Sequence, residues 1–460
     1  MESDDNPNFN QAFTDANGGL RNDANVDGVD ILMPRLGFTW EYSPDLTVRG
    51  GMGLYSGGNP NVWISNAWSN DGSTNVQLRN SYGSDSVLTD IPLSGTGRPG
   101  YDVPQDMVDE VLATTSDNAS SSRVVLLDPS YDQPSEWKFA LGATYDLPWG
   151  DIRAEVDFLH TETKDSAIYL DLSQGIVGST IDGQPIYDYV NGRDNYMLTN
   201  SSQDASSDSL SIVLMKSFDW GLDLQVGYAY IDAEDVAPMT SSTAGSNWDA
   251  TATSNPNDLT TATSNYVAPH RFTARASYAT ELFADLTTRV TLMAYSTEGQ
   301  PQSYVMGSGD LEGDGFFGRH LLYVPTGADD PNVVFEDGFD TAGFLSWANS
   351  KDLGSGYVQR NETHAPWTTR MDLRIDQELP TFFDGTKGKI YFKMYNLGNF
   401  LNDEWGHVND AQFFSVQMVN SSVNDSGQYV FEEFNDSRSI TDLKENASLW
   451  TARIGLEFEF

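Results

Sequence analysis

Long runs of strict alternation constrain this chain more than any other feature. From Trp367 to Leu379, Trp367, Thr369, Met371, Leu373, Ile375 and Leu379 fall on one side, and Arg370, Asp372, Arg374, Asp376 and Glu378 on the other. A period of two is that of a β-strand with two unlike faces. The chain ends in the same way: Trp450, Ala452, Ile454, Leu456, Phe458 and Phe460 oppose Arg453, Glu457 and Glu459. The pattern recurs at Leu36–Tyr42, Trp137–Leu147, Ile152–Phe158 and Leu222–Tyr230. These runs reach about 10–14 residues, against about five or six for ordinary globular strands. Aromatics bracket the apolar faces. Trp137 and Tyr145 are eight residues apart, as are Trp450 and Phe458, which is about 26 Å of strand before tilt.

The spacing predicts eleven strands, at about 32–42, 46–56, 135–147, 151–163, 207–218, 222–235, 267–280, 286–298, 366–379, 389–399 and 447–460. Five connections are tight: Ser43-Pro44-Asp45, Pro148-Trp149-Gly150, Asp219-Trp220-Gly221, Glu281 to Asp285, and Pro380 to Gly388. The five between them run from about 30 to nearly 80 residues, whereas compact domains connect elements with about 4–6. An apolar band of roughly 25 Å between aromatic girdles, with short turns at one end and long loops at the other, is the pattern of an antiparallel transmembrane β-barrel. Helical spanning is excluded, since the longest aliphatic stretch is Val124-Val125-Leu126-Leu127, far below the roughly 20 residues required.

Charge fits the same picture. There are 67 acidic and 25 basic residues, a net charge of −42. Nucleic-acid phosphates need clustered Lys and Arg, so they are not expected partners. The polar strand faces hold ten basic residues and ten acids, so the wall is near neutral and the acidic surplus lies mostly in loops. The arginines Arg35, Arg153, Arg271, Arg275, Arg289, Arg370, Arg374 and Arg453 are expected to face a lumen. There they either pair with wall acids or a plug, or contact a solute, and pairing is favoured. With no cysteine, disulfide frameworks and thiol-based metal or catalytic sites are out. The start, Met1-Glu2-Ser3-Asp4-Asp5, has neither the positive nor the apolar segment of a signal peptide.

The last residues read Arg453-Ile454-Gly455-Leu456-Glu457-Phe458-Glu459-Phe460. Arg453, Gly455, Phe458 and Phe460 resemble the terminal assembly signal of outer-membrane proteins. Phe392-Lys393-Met394-Tyr395-Asn396-Leu397-Gly398-Asn399 is similar to the penultimate-strand pattern of TonB-dependent receptors. Met33-Pro34-Arg35-Leu36-Gly37-Phe38, Tyr131-Asp132-Gln133-Pro134-Ser135-Glu136-Trp137 and Leu321-Leu322-Tyr323-Val324-Pro325 resemble their Oar-like subgroup. This resemblance implies a 22-stranded barrel of which these would be the last eleven strands. Residues 1–31 would be a remnant of an extracellular loop, and 32–460 the C-terminal half of the barrel. The plug and the first half of the barrel would be missing. It further implies outer-membrane lipid, the barrel assembly machinery, the TonB energy-coupling system and an unidentified large or scarce solute as partners, with the loops extracellular. The alternative is a self-contained porin-like or adhesive barrel, which needs a twelfth strand from residues 8–20 to close onto Phe460.

Sites for chemistry are few. Asp23, Asn25, Asp27 and Asp30 place oxygen ligands as the front of a calcium loop does, with Gly28 at the sixth position. The twelfth is Pro34 where a glutamate belongs. Ca²⁺ in an extracellular turn and a ligand-free Asx-rich loop both fit, and no other cofactor is indicated. Asp310-Leu311-Glu312-Gly313-Asp314-Gly315 is a second, weaker case. The five histidines form no HExxH, and no GxSxG occurs, so no enzyme is expected. Trp63, Trp68, Trp248, Trp347 and Trp405 fall in loops, where packing is favoured over ligand stacking.

Overall fold

The computed structural model describes residues 11–56 apart from 27 and 29, 61–72, 105–113, and 123–459 apart from 193, 284, 308–310, 312, 317, 381–385, 412–414 and 439–440. Eleven long strands follow one another in chain order across a single sheet: β1 (Arg35–Ser43), β2 (Leu46–Ser56), β3 (Ser135–Asp146), β4 (Ile152–Lys164), β5 (Ala205–Ser217), β6 (Leu222–Asp235), β7 (His270–Phe283), β8 (Leu286–Thr297), β9 (Thr368–Leu379), β10 (Lys387–Tyr395) and β11 (Thr451–Glu459). All ten neighbouring pairs are antiparallel. The two-residue strand Ala262–Thr263 adds onto β6 as a twelfth member. The sheet is open: among the described residues, β1 pairs only with β2 and β11 only with β10.

Alternation decides which face is apolar, and the register keeps it continuous. The row Trp40, Val48, Ala143, Val156, Ile212, Tyr228 and Phe272 runs across seven strands. The row Leu222, Tyr278, Val290, Ile375, Phe392 and Ile454 crosses the other end of the sheet. These side chains are not a core. Leu36, Phe38, Leu141, Phe158, Leu214, Val226, Phe272 and Leu456 are all exposed, and no second sheet or helix layer covers them among the described residues. An apolar surface of this extent has no place in water.

The buried cores lie instead in the long connections. One gathers Ala67, Val125, Leu127, Tyr169, Tyr196, Leu198 and Trp248 from the connections after β2, β4 and β6. Another gathers Tyr304, Met306, Leu322, Phe344, Met418, Tyr429 and Phe431 from those after β8 and β10. Its five-stranded sheet runs Val333–Phe335, Tyr429–Phe434, Ser415–Val423, Pro301–Met306, Thr363–His364, and two of its pairings are parallel. A third parallel pair joins Val124–Leu127 to Asn195–Asn200. Antiparallel pairing thus governs the wall but not these loops, which fold into a head.

Four local expectations need correction. Residues 32–34 lie outside β1. The tenth strand stops at Tyr395, not 399. Asn396 is left-handed (φ 53°) and begins the short helix Leu397–Leu401. Its amide donates to Gly406 O (2.9 Å) and Ser448 O (2.6 Å), clipping together both ends of the last long connection. Residues 445–448 form a helical turn rather than the start of β11. Gln11–Ala16 is a helix, so the twelfth strand that a self-contained barrel would take from residues 8–20 does not form there.

Candidate lumen wall and loop head

The register places all eight arginines singled out above on the polar face. Asp146, Arg153, Met215, Gln225, Arg275, Met293 and Asp372 make one row across seven strands. Arg374, Lys393 and Arg453 make another. Arg35 aligns with Gly53 and Lys138, Arg271 with Ala229 and Thr297, Arg370 with Tyr295, and Arg289 with Asp376.

Their partners differ. Arg153 donates to Asp146 at 2.7 and 3.0 Å. Arg374 grips Asp376 and reaches Glu457 at 3.2 Å, and Lys389 holds the other oxygen of Glu457 at 2.6 Å. Arg49, outside the predicted set, makes a bidentate pair with Asp157 at 2.7 and 2.9 Å. Gly142 leaves room for it, since a Cβ there would lie 2.2 Å from the Asp157 carboxylate. Arg289 donates to Ser277 and lies 3.9 Å from Asp223. Arg35, Arg271 and Arg453 lie over the rings of Tyr55, Tyr295 and Tyr395 at 4.3, 5.7 and 5.3 Å. Arg275 has no acidic partner among the described residues, and the buried Nε of Arg370 has no acceptor. Arg275, Arg289, Arg374 and Lys389 line a polar recess of about 590 Å³. The wall is therefore part ion-paired lattice and part free guanidinium, with the free groups on β7 and β9.

Aromatics mark both edges of the apolar face. Tyr228, Tyr230, His270, Phe272 and Trp367 cluster at the head end. Phe218, Trp220 and Tyr278 cluster at the short-turn end. These amphipathic rings suit the interfaces of a bilayer.

A family model described as an outer membrane beta barrel domain matches residues 5–404. The chain belongs to that family. Two solved structures resemble it: the outer membrane transporter YddB from Escherichia coli (10% identity, TM-score 0.44, 93% of this chain and 40% of that one) and the FrpB iron transporter from Neisseria meningitidis, F3-3 variant (8%, 0.37, 80% and 35%). This chain thus spans well under half the length of either. No curated protein matches it.

In this outer-membrane barrel domain the apolar face meets lipid, and the polar face carries the arginines. Of the terminal motif, Phe458 and Gly455 sit on opposite faces of β11, Gly455 leaving space for the Tyr391 ring. Phe460 lies outside the described residues. Of the calcium candidates, Asp27 lies outside the described residues and Asp30 is exposed. Asp23 is held by Arg21, which keeps its carboxyl below the usual range. No cluster of three metal-binding side chains occurs among the described residues. Of the second candidate loop, Asp310 and Glu312 lie outside the described residues, and Asp314 is fully buried against Arg319. Trp63, Trp68, Trp248 and Trp347 pack into head cores, while Trp405 is exposed.

The sequence reading missed the charged centre of the head. Burial pushes the Asp249 carboxyl up to about 7, opposed by Arg319 and Arg123 and reinforced by Asp194 and Asp314. Burial likewise raises Asp171 to about 6. Between the ordinary value of 3.8 and about 7, folded Asp249 keeps a proton that the unfolded chain releases. Head stability therefore falls as pH rises through that window. Thermal unfolding followed at the head tryptophans should show a higher Tm near pH 5 than near pH 7.5, and Asp249→Asn should flatten the profile.

Proposed function

We propose that the chain is the C-terminal half of a TonB-dependent receptor that takes up a large or scarce solute through the outer membrane. The carrying observation is the division of labour between wall and head. Long loops of a passive pore need only stay clear of the lumen. Here they build two buried cores with parallel strands, a rigid platform suited to capture. The unpaired guanidinium groups of Arg275 and Arg370 and the ring-stacked Arg271 then offer contacts to a plug or to a passing solute.

The open edges of β1 and β11 fit this reading. Unpaired backbone groups do not persist in hydrocarbon, so both edges take further strands, supplied by the other half of the barrel. The barrel assembly machinery and TonB are the partners implied. The test is growth of a strain carrying the whole receptor on candidate solutes, with and without TonB. Uptake that disappears without TonB is expected. Equal, unsaturable flux in both strains would assign a passive pore instead.

A further inference from the structure

One cation of the wall faces away from the lumen. Along β5, Leu210, Ile212, Leu214 and Lys216 share the apolar face, and Lys216 is aligned with Ile152 on β4 and Leu224 on β6. Among the described strand residues, that face carries one other lysine or arginine, Lys164, at the head end of β4. Lys216 sits near the short-turn end instead. Its strand lies four strands from one open edge of the sheet and six from the other, so strands that complete the barrel do not cover it. The head stands at the opposite end. What meets Lys216 is therefore lipid.

The side chain leaves the apolar row. Its ammonium donates to Gly150 O in the neighbouring short turn (2.5 Å) and lies 4.6 Å from the centre of the Phe218 ring. Phe218 packs on Trp220 and Trp220 on Tyr278, at 5.5 and 5.7 Å between ring centres. Trp220, and Trp149 beside the accepting carbonyl, are 61% and 65% exposed. An ammonium has more hydrogens than this one acceptor uses, and Lys216 has no acidic partner among the described residues. Asp151 and Asp219 of the same two turns are exposed and form no ion pair with it. Long cationic side chains on an apolar surface carry their charge out to the polar boundary, and aromatic rings mark that level on a barrel. In a bilayer it is the level of the phospholipid phosphates. Directly inward of Lys216 lie Leu214 and Val226, both exposed and apolar. An unneutralised ammonium at the rim, with greasy rows running inward from it, suits a phosphate that carries acyl chains better than a free anion.

We propose that Lys216 holds the phosphate of an anionic glycerophospholipid in the leaflet at the short-turn end, with the acyl chains lying along Leu214 and Val226. The proposal stands on the lipid-facing wall and not on the uptake reading. Titration of the purified full-length receptor in non-ionic detergent, with bound species resolved by native mass spectrometry, tests it. The probes are dioleoyl phosphatidylglycerol, dioleoylglycerol (the same chains without phosphate) and inorganic phosphate. Phosphatidylglycerol is expected to bind more tightly than dioleoylglycerol. Lys216→Met keeps the apolar stem and removes the charge. It should weaken phosphatidylglycerol about fivefold, the share of one cation at an anionic lipid surface, and leave dioleoylglycerol unchanged. Lys216→Arg should retain tight binding, and Lys164→Met should change neither lipid. Heat-modifiable gel mobility equal to that of the unsubstituted receptor verifies that each variant is folded. Unchanged phosphatidylglycerol affinity in Lys216→Met, or an equal loss in Lys164→Met, overturns the site. Displacement of the lipid by an equal concentration of inorganic phosphate would assign a free-anion site and overturn the lipid.

Discussion

Replacing Arg319 with alanine is expected to unfold the head while the wall persists. Arg319 is 2% exposed and Asp314 fully buried. The guanidinium bonds Asp314, donates to Trp248 O at 2.9 Å, and lies 3.9 Å over the Trp248 ring. Asp314 in turn accepts at its backbone oxygen from Gln174 (2.6 Å) and Tyr189 (3.2 Å). One ion pair therefore joins the connections after β4, β6 and β8. Removing one partner of a buried pair strands the other charge, at a cost of about 3–5 kcal/mol. In the purified protein the head should become protease-sensitive, whereas the heat-modifiable gel mobility of the wall should not change. The double variant Arg319→Met, Asp314→Leu removes both charges and should recover much of the loss. If the single variant stays resistant, the pair does not hold the head together.

The wall was legible because a strand facing two solvents writes its own register. Each predicted strand corresponds to an observed one, and the discrepancies lie at ends such as Asn396, where a left-handed residue breaks the ladder that periodicity alone would continue. Within the wall, sequence placed the arginines on one face but could not pair them. Arg374 reaches Glu457 on β11 through a register set by β10, information that no single strand contains. The head was illegible for a different reason. Val124–Leu127 is buried on all four residues and so shows no alternation. The parallel partners Pro301–Met306 and Ser415–Val423 are more than a hundred residues apart. The charge that matches the buried Asp314 stands five residues on, in Arg319, a pairing that the spacing of carboxylates in the sequence does not reveal.

Arginine substituted on either side of one strand should separate the two faces most sharply. Val226 and Gln225 are neighbours on β6. Val226 lies in the row Leu214, Val226, Ala274, Ala294 and Met371, between the two aromatic clusters, and is 56% exposed. Gln225 points to the polar face beside Met215 and Arg275. Val226→Arg sets a guanidinium near the bilayer midplane, where the penalty is about 2–4 kcal/mol. Gln225→Arg adds a charge to a wet wall that already carries Asp372 and Arg153 in the same row, and should cost well under 1 kcal/mol, as solvated substitutions do. Refolding of the two full-length variants into lipid vesicles, followed by urea titration, measures both. A soluble sheet with two wet faces predicts the reverse ranking, because Val226→Arg would then be a harmless surface change and Gln225→Arg would crowd Arg275. Equal, small effects would place the exposed apolar rows in water and remove the basis for reading this sheet as a membrane wall.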